Sequence, residues 1–365
     1  MKNCLVSLTP SHYRKLIYLL LQDQMGFDFV FGKGQTSVKS IDLSIFKNVV
    51  EVPNIQLGMG RWYKMPNALK YLKHYDVVIN DMGILCTTSW LLLLKAKFWG
   101  QKVYHWDHGW YGRENWVKKM MKRLFFGISD GAFIYGNYAK KLMIENGFDG
   151  SKLHVIHNSL DYDTQLLLRQ KLSRTSVYFD HFGNSNPVLI MIGRLNLRKK
   201  LNMLLEAVAL LSKKGECFNV VLIGDGEDKQ KLEKLAKDLD LSSLVWFYGA
   251  CYEEQKNAEL VYNSDMCVVP GDIGLTAMHA MMFGTPCISH DYYPNQGPEF
   301  EAIQEGITGS FFRHNDVLSL ANCISRWFAV NSNKREKVRQ ACYKEIDENW
   351  NPHKQIEIIK KVIYG

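Results

Sequence analysis

The stretch PVLIMIGRLNLRKKLNMLLEA, residues 187–207, joins an apolar run, a short basic turn and an amphipathic segment in direct succession. The run that precedes Gly193 is aliphatic, as expected of a strand buried on both faces of a parallel sheet. Beyond the turn, Leu201, Leu204 and Leu205 recur at the spacing of one helix face. A buried strand that leads directly into a helix is the building unit of parallel α/β sheets, so this stretch predicts such a sheet.

Strand-like and helix-like segments alternate along the whole chain. The strand-like runs are CLVSL, FDFVFG, DVVIND, KVYHWDHG, GAFIYG and KLHVIHN in the first half, and PVLIMIG, NVVLIGDG, LVWFYG, MCVVPG and PCISHD in the second. This alternation predicts an α/β fold with two Rossmann-like, doubly wound parallel-sheet domains. The polar stretch YFDHFGNSN separates the halves, so we expect domains at 1–180 and 181–340. Two such domains leave a cleft between them, and clefts of this kind are preferred ligand sites.

The size and composition agree with two globular domains. The chain has 365 residues, 47% of them hydrophobic and 22% charged. A single hydrophobic core stops growing beyond roughly 250–300 residues, so one domain would be unusually large. The net charge of +8 is compatible with an acidic ligand, a nucleic acid or an anionic membrane surface. The basic residues are dispersed and no nucleic-acid-binding module is recognised, so nucleic acid is not an expected partner.

The cysteines and the apolar segments indicate a cytoplasmic protein. The eight cysteines lie far apart, without a CxxC pair or the spacing of metal ligands, so we expect reduced thiols and no metal site. The amino-terminal segment is a poor signal peptide, because Thr9, Pro10 and His12 interrupt its apolar character. The longest apolar run, WLLLLKAKFW, is too short and too charged to span a bilayer.

The turn after the opening strand is rich in positive charge. Arg194, Arg198, Lys199 and Lys200 all fall within it. The carboxyl ends of strands in a parallel sheet are where ligands bind, so basic residues at this place favour an anionic ligand. The alternative interpretation is a solvated connecting loop.

Two further segments of the second half have the composition of phosphate-binding turns. Gly224 and Gly226, in IGDGE, allow the backbone to approach a ligand closely. In PGDIGLTAMHAMMFGTP, residues 270–286, a strand ends, Gly271 and Gly274 loosen the turn, and a helix is expected to start near Thr276. Backbone N–H groups at a helix start bind phosphate well. The amides expected to do so are those of Gly274, Leu275 and Thr276, with Arg194 and Lys199 reaching the same phosphates.

Taken in order, these segments resemble the retaining glycosyltransferases of family 4, whose GT-B fold has two Rossmann-like domains facing across a cleft. GRLNLRK, GDG, FYGA, PGDIGLTAMHAMMFGTPCI and EAIQEGITGSFF each resemble a motif of that family. The resemblance implies that Arg194 and Lys199 hold the diphosphate of a nucleotide-sugar donor, with a UDP-sugar as the expected donor and no metal or other cofactor. It also implies that residues 1–180 form the acceptor-side domain and residues 181–340 the domain that binds the nucleotide-sugar donor. Residues 341–365 are then expected to form a helix that returns to the first domain. The donor-binding residues implied are Gly193, Arg194, Lys199, Gly224, Gly226, Gly271, Asp272, Gly274, Leu275, Thr276 and His279.

One departure from the family pattern concerns two glutamates of the donor loop. By register, the first falls on Gly271, which has no side chain, and the second on His279. The resemblance implies a ribose contact for His279, whose ring nitrogens can hydrogen-bond hydroxyl groups; the alternative is a histidine satisfied within the core. Asp272 is adjacent to Gly271 and can take over part of the missing carboxylate's role. Glu301, in the closing motif, is either a ligand contact or a charge at a helix start.

In the first half, HWDHGWYGRENW, residues 105–116, follows a predicted strand. The segment resembles the place where family members carry a histidine near the transferred sugar, and His108, which precedes a glycine, fits that place best. The alternative is a structural loop histidine. The residues expected to take part directly in catalysis are therefore His108, Arg194 and Lys199.

The next segment, RENWVKKMMKRLFFGI, has the pattern of a basic amphipathic helix. The apolar stripe contains Val117, Met120, Met121 and Leu124, and the basic face contains Lys118, Lys119, Lys122 and Arg123. The favoured interpretation packs the apolar stripe into the core and leaves the basic face in solvent. The alternative places the helix on an anionic inner-membrane surface, where family members extend lipid-linked saccharides.

The expected activity is transfer of a sugar, with retention, from a nucleotide diphosphate donor to a carbohydrate or lipid-linked saccharide. Two alternatives stay open from the sequence. One is another GT-B enzyme, a phosphorylase or a nucleotide-sugar epimerase. The other is a non-catalytic sugar-nucleotide binder or partner subunit, an idea that the absence of a glutamate at Gly271 motivates.

Overall fold

The computed structural model describes residues 1–33, 41–58 and 61–365, which divide into two compact units. Unit 1 comprises Met1–Asp161 together with Asn351–Gly365, and unit 2 comprises Tyr162–Trp350. The chain thus changes units before residue 180, because the helices that follow Asp161 pack within unit 2. Gln165 donates a hydrogen bond to Glu254 (2.8 Å), and the Tyr178 hydroxyl donates to the carbonyl of Leu260 (2.6 Å).

Unit 1 is built on a parallel sheet with the strand order β3-β2-β1-β6-β7-β8-β9. Its strands are β1 (Asn3–Ser7), β2 (Phe27–Lys33), β3 (Val49–Pro53), β6 (Val77–Asp81), β7 (Lys102–Asp107), β8 (Gly131–Ile134) and β9 (Leu153–Val155), and a small antiparallel pair consists of β4 (Ile55–Leu57) and β5 (Trp62–Lys64). Strand β3 and the small pair were not among the strands that the sequence predicted.

Helices cover both faces of this sheet. They are α1 (Lys15–Met25), α2 (Ala68–Leu72), α3 (Thr87–Trp99), α4 (Trp116–Ile128) and α5 (Asn137–Glu145), joined by the carboxyl-terminal helix Pro352–Tyr364. That last helix packs against α1, with Ile356 and Ile359 in the same buried cluster as Tyr18 and Leu21. The side chains of Ser159 and Gln355 are also hydrogen-bonded to each other (2.7 Å).

Unit 2 is built on a second parallel sheet with the order β12-β11-β10-β13-β14-β15. The strands are β10 (Val188–Ile192), β11 (Asn219–Ile223), β12 (Val245–Gly249), β13 (Met266–Val268), β14 (Cys287–His290) and β15 (Gly309–Phe312). The helices are α6 (Tyr162–Arg169), α7 (Val177–Phe182), α8 (Leu201–Ser212), α9 (Lys229–Asp238), α10 (Glu254–Asn263), α11 (Thr276–Met282), α12 (Val317–Asn331) and α13 (Arg335–Asn349), so Pro352–Tyr364 is α14.

Local sequence explains where several helices begin. Asn115, Asp316 and Asn351 precede α4, α12 and α14, and each side-chain oxygen accepts a hydrogen bond from the backbone N–H three residues later. Such a cap satisfies one of the amides that a helix start leaves without a partner. In α14 the first position is Pro352, a residue suited to that position because its ring fixes a helical φ.

Each sheet contains one place where the strand order reverses. In unit 1 this place lies between β1 and β6, and in unit 2 it lies between β10 and β13. Loops that leave the carboxyl ends of two such strands run to opposite sides, which opens a crevice suited to ligands. The prediction of two Rossmann-like parallel-sheet domains is confirmed.

Two further properties of the chain bear on its chemistry. All eight cysteines are free thiols. Within residues 1–33, 41–58 and 61–365, no helix has the length and apolar character needed to cross a bilayer.

Candidate functional site

The turns that follow β10 and β11 lie in close contact, and three of the predicted glycines, Gly193, Gly224 and Gly226, lie at that contact. A Cβ built on Gly224 would lie 1.9 Å from the carbonyl oxygen of Gly193, and one on Gly226 would lie 2.2 Å from that of Leu195. The φ angles of Gly224 and Gly226 are 145° and 159°, which a residue with a side chain rarely adopts. Only glycine therefore allows the two turns to lie this close.

The basic turn after β10 is joined to the loop after β13 by backbone hydrogen bonds. The N–H groups of Gly271 and Asp272 donate to the carbonyls of Lys199 and Arg198, at 2.9 and 3.0 Å. A Cβ on Gly271 would lie 1.8 Å from the carbonyl oxygen of Arg198. The two predicted segments thus meet at the place where the strand order of unit 2 reverses.

Lys199 extends beneath that loop. Its ammonium group donates to the carbonyls of Asp272 (2.7 Å) and Ile273 (2.9 Å). It lies 4.0 Å from the position that a Cβ on Gly274 would occupy. Burial lowers the pKa of Lys199 from its ordinary value, while the nearby charge of Asp272 opposes that shift. Two of the three N–H donors are used, and the third has no acceptor among the described residues.

The remaining basic residues of the turn differ in their partners. Arg194 is exposed and forms no hydrogen bond or ion pair with the residues that the structure describes. By contrast, Arg198 forms an ion pair with Asp272. The Lys200 ammonium group lies 3.0 Å from Nε2 of His314. Arg194 is therefore the member of this turn whose guanidinium is open to an anion.

The Asp272 side chain binds to two neighbouring segments and holds the loop after β13 in place. One carboxylate oxygen pairs with Arg198, and the other accepts a hydrogen bond from the N–H of Gly297 at 2.8 Å. Both oxygens therefore have protein partners. This side chain ties the turn after β10 to the segment after β14.

The predicted amides lie at the start of α11. The Thr276 hydroxyl donates to the carbonyl of Ile192 (3.0 Å), which fixes the helix start to the end of β10. The N–H groups of Gly274, Leu275 and Thr276 donate to no other described residue. Unsatisfied amides at a helix start attract anions, so this arrangement fits the predicted phosphate site.

His279 lies further along α11 and pairs with a residue that the sequence did not single out. Its Nε2 is 2.9 Å from a carboxylate oxygen of Glu254, at the start of α10, and the same oxygen accepts a hydrogen bond from Gln165 at 2.8 Å. Burial alone would raise the pKa of Glu254, but hydrogen bonds from His279 and Gln165 and the charge of His279 lower it overall. Nδ1 of His279 is the ring nitrogen left for a further contact.

In unit 1, His108 is exposed at the end of β7. Its ring centroid lies 4.8 Å from that of Tyr135 and 5.8 Å from that of Tyr111. Two hydrogen bonds to Gly109 hold this loop in place. The Asp107 carboxylate accepts from the N–H of Gly109 (2.8 Å), and the Lys122 ammonium group donates to the carbonyl of Gly109. The imidazole thus stands on a fixed loop.

Helix α4 corrects the interpretation of the amphipathic segment. The side chains of Val117, Met120 and Leu124 are exposed, so the apolar stripe is not packed into the core. Lys122, assigned from the sequence to the solvated basic face, is only 6% exposed and pairs with Glu114 at 2.8 Å. The buried ion pair also fixes the loop after β7, because Glu114 accepts from the N–H groups of Tyr111 and Gly112, both at 3.0 Å.

A polar cluster at the carboxyl ends of β1, β6 and β8 is a further feature that the sequence did not single out. It contains Arg14, Asp81 and Tyr135. Asp81 closes the predicted strand DVVIND, so its place in the sheet was available from the sequence. Its partner Arg14 follows β1 after a loop and was not. Among the residues that the structure describes, no group of three or more His, Cys, Asp or Glu side chains could hold a metal ion.

Comparison with known proteins gives a family match for part of the chain and a fold for the whole of it. The family described as "Glycosyl transferases group 1" matches residues 180–345. The lipopolysaccharide 1,6-galactosyltransferase of Escherichia coli K12 is 23% identical over 289 residues, covering 76% of this chain and 73% of that protein. The putative glycosyltransferase EpsD of Bacillus subtilis is 28% identical over 147 residues, but the match spans only 40% of this chain and 38% of EpsD.

Solved structures resemble the chain over its whole length. Anabaena Alr3699/HepE in complex with UDP has a TM-score of 0.74 at 15% identity, covering 100% of this chain and 99% of that one. The apo form of the lipopolysaccharide outer core galactosyltransferase WaaB also has a TM-score of 0.74, at 13% identity and 99% coverage of both chains. At these identities the likeness establishes the GT-B fold.

Proposed function

We propose a reaction for this chain, which is a nucleotide-sugar glycosyltransferase. Its residues 180–345 match the family described as "Glycosyl transferases group 1", and the chain has the GT-B fold. It transfers a sugar, with retention and without a metal ion, from a UDP-sugar to a saccharide or a lipid-linked saccharide. The UDP and UDP-glucose complexes of Anabaena HepE support the choice of donor.

The observation that carries the proposal is the set of donors gathered where the strand order of unit 2 reverses. Arg194 has no partner among the described residues, and Lys199 keeps one N–H donor available. The amides of Gly274, Leu275 and Thr276 are also without acceptors there. Fixed donors of this kind stabilise negative charge as it develops, which is what the departing diphosphate requires.

The bonds change as follows in the proposed reaction. The bond between the anomeric carbon and the diphosphate oxygen breaks, and the hydroxyl oxygen of the acceptor attacks the same face of the sugar. The proton of that hydroxyl passes to the departing diphosphate oxygen, so no further base is needed. Arg194 and Lys199 stabilise the diphosphate, and the transition state resembles an oxocarbenium ion.

The two histidines have roles toward the donor in this proposal. His108 contacts the transferred sugar, and its exposure on a loop fixed by Lys122 and Glu114 supports that role. His279 contacts the ribose through Nδ1, because Nε2 already faces Glu254. Each contact is a hydrogen bond to a hydroxyl, for which imidazole is suited as donor or acceptor.

The proposal is tested by titrating UDP into the full chain by calorimetry. Arg194→Ala and Lys199→Ala should each abolish transfer and weaken UDP binding at least about tenfold, since charge-assisted hydrogen bonds are worth about 1.5–3 kcal/mol each. Lys213→Ala removes the same charge from an exposed position after α8 and should bind UDP as the wild type does. Unchanged affinity in both site variants would refute the phosphate role.

Product analysis separates the alternatives. Incubation with UDP-glucose or UDP-galactose and an acceptor, in the presence of EDTA, should give a product whose anomeric configuration by NMR equals that of the donor. An inverted product, or activity that EDTA removes, contradicts the proposal. A sugar phosphate formed only with inorganic phosphate would indicate a phosphorylase, and an altered nucleotide sugar an epimerase. UDP binding without donor consumption across a donor panel would indicate a non-catalytic binder.

For the location of the protein, we propose a peripheral contact of unit 1 with the cytoplasmic face of the inner membrane. Helices α3 and α4 pack against each other, and both bury side chains in one core cluster, so their other sides form an outward surface. This α3–α4 surface exposes Leu91, Leu94, Phe98, Trp116, Val117, Met120 and Leu124. Lys95, Lys118, Lys119 and Arg123 on the same helices are exposed and suit anionic headgroups.

A further inference from the structure

The contact between His279 and Glu254 joins two helices of unit 2. His279 lies on α11, on the same helix as the Thr276 amide of the proposed phosphate site, and Glu254 is the first residue of α10. Nε2 of His279 and Oε1 of Glu254 are 2.9 Å apart. The pair therefore lies close to the proposed phosphate site without belonging to its set of cations and amides.

The chemistry of the pair decides which nitrogen of the imidazole carries hydrogen. Burial alone would raise the pKa of Glu254, but the hydrogen bond from His279 and the charge of His279 lower it overall, so Glu254 is ionised at neutral pH. A carboxylate accepts hydrogen bonds and donates none. Nε2 of His279 is therefore the nitrogen that bears hydrogen, and in the neutral ring Nδ1 is an acceptor.

Gln165 holds the carboxylate from a third helix, α6. Its side-chain N–H group donates to the same oxygen of Glu254, Oε1, at 2.8 Å. Gln165 is buried, whereas 36% of the Glu254 side chain is exposed. Donors from two separate helices thus meet at one carboxylate oxygen. Because that oxygen is held in place by Gln165, it can fix both the position and the tautomer of the His279 ring.

Nδ1 of His279 is the atom left open. It has no hydrogen-bond partner among the described residues and is not among their buried atoms without a partner. The ring also packs against Phe283, with centroids 5.5 Å apart, and 15% of the His279 side chain is exposed. An unprotonated nitrogen fixed in this way binds a hydroxyl group, which can donate to it, and not the anionic oxygens of a phosphate.

We propose that Glu254 and Gln165 are positioning residues that hold His279 in the Nε2–H tautomer, so that Nδ1 accepts a hydrogen bond from a ribose hydroxyl of the donor. The arrangement makes the chain selective for ribonucleotide over deoxyribonucleotide donors. That a nucleotide sugar supplies the hydroxyl rests on the proposed function; that Glu254 sets the tautomer of His279 does not.

The tautomer is measured by ¹⁵N NMR of the full chain with labelled histidine, without ligand and at about pH 8, where an imidazole of ordinary pKa is neutral. His279→Gln identifies the His279 resonances by their loss. In the wild type, Nε2 should be protonated and Nδ1 unprotonated, and Glu254→Ala should release the ring into exchange between both tautomers. A wild-type ring protonated at Nδ1, or one that Glu254→Ala leaves unchanged, overturns the inference.

The ribose contact is measured by calorimetry with UDP, 2′-deoxy-UDP and 3′-deoxy-UDP. The wild type should bind UDP about three- to tenfold more tightly than at least one deoxy compound, as one hydrogen bond implies. Glu254→Ala should weaken UDP binding by about that factor and leave binding of the same deoxy compound unchanged, which also shows that the variant is folded. Glu254→Gln keeps an oxygen acceptor for Nε2–H and should retain most of the discrimination.

Glu253→Ala is the matched control, because the Glu253 side chain is exposed and does not cap α10. It should bind all three nucleotides as the wild type does. Equal wild-type affinity for UDP and both deoxy compounds overturns the inference, and so does equal weakening of all three by Glu254→Ala, which a merely structural role would cause. In both cases UDP still binds, so the proposed function stands. A wild type that binds no UDP refutes the proposed function and the ribose contact together.

Discussion

Gly271 lies against the carbonyl oxygen of Arg198, where a Cβ would stand 1.8 Å from that oxygen. The contact explains why this position carries no side chain. A carboxylate here would have to push the turn after β10 away from the loop after β13, and the hydrogen bonds that join Gly271 to Lys199 and Asp272 to Arg198 would break. The backbone of the turn after β10 fills the space that a side chain at position 271 would need.

Gly271→Ala should therefore destabilise unit 2 and weaken UDP binding together. Forcing a methyl group into a filled space costs about 1–3 kcal/mol, and here the obstructing atoms belong to the backbone. Gly127→Ala is the matched control, because a Cβ there meets no atom of the described residues within 4 Å. Thermal unfolding and UDP calorimetry check both variants. A Gly271→Ala protein with wild-type stability and UDP affinity would contradict the role assigned to this contact.

The buried ion pair of Lys122 and Glu114 should be costly to break from one side. Lys122→Met leaves the Glu114 carboxylate buried without its ammonium partner, and we expect a loss of about 3–5 kcal/mol in the free energy of unfolding. Lys118→Met, on the exposed side of the same helix, should change it by less than about 0.5 kcal/mol. Urea unfolding measures both, and equal stabilities would mean that Lys122 is solvated. The double variant Lys122→Met, Glu114→Gln should recover part of the loss.

His105 should make the stability of unit 1 sensitive to mild acid. Its ring is buried against Phe125, and burial lowers the pKa of His105 from 6.5 to about 4. Between these values the unfolded chain binds a proton that the folded chain does not, so the free energy of unfolding decreases as pH falls. The slope per histidine is at most about 1.4 kcal/mol per pH unit.

His105→Gln keeps a donor toward the Phe125 carbonyl without titrating in this range. The difference in unfolding free energy between about pH 7 and about pH 5 should be smaller in this variant by about 1–2 kcal/mol. Burial also lowers the pKa of His157 and His290 to about 4, and they remain in both proteins, so only the difference between the two is informative. Parallel pH profiles would show that the pKa of His105 is the same in the folded and the unfolded chain, contrary to this prediction.

The α3–α4 surface should bind anionic vesicles. The wild type is expected to float with liposomes that contain phosphatidylglycerol, and less with phosphatidylcholine alone, because apolar insertion and basic attraction act together. Met120→Glu combined with Leu124→Glu should abolish flotation. Leu318→Glu, at an exposed apolar residue of unit 2, should not. The membrane proposal is wrong if the wild type does not float with anionic vesicles. It is also wrong if the Met120→Glu, Leu124→Glu variant floats as the wild type does.

Local sequence was sufficient for the strands and turns around the donor site. The run before Gly193 is apolar on both faces because β10 lies inside its sheet, so its pattern could be recognised without knowing its neighbours. Gly224 and Gly226 indicated that the backbone is closely approached there, because the φ angle and the lack of space that require glycine are local properties of the backbone. The unpredicted β3 lies at the sheet edge, where fewer side chains are buried and the apolar pattern is weaker.

By itself, then, the sequence determined two parallel sheets and the glycine and basic turns at their carboxyl ends, because these depend on backbone conformation and on the period of apolar residues. Which side of α4 is buried depends on long-range contacts, since Lys122 can enter the core only where Glu114 and the Gly109 carbonyl meet its charge. The tertiary structure also paired His279 with Glu254 and Arg14 with Asp81, residues brought together from separate segments of the chain. The period of apolar residues is a property of the local sequence. The partner of a buried charge lies on another segment of the chain, so only the folded structure brings the two together.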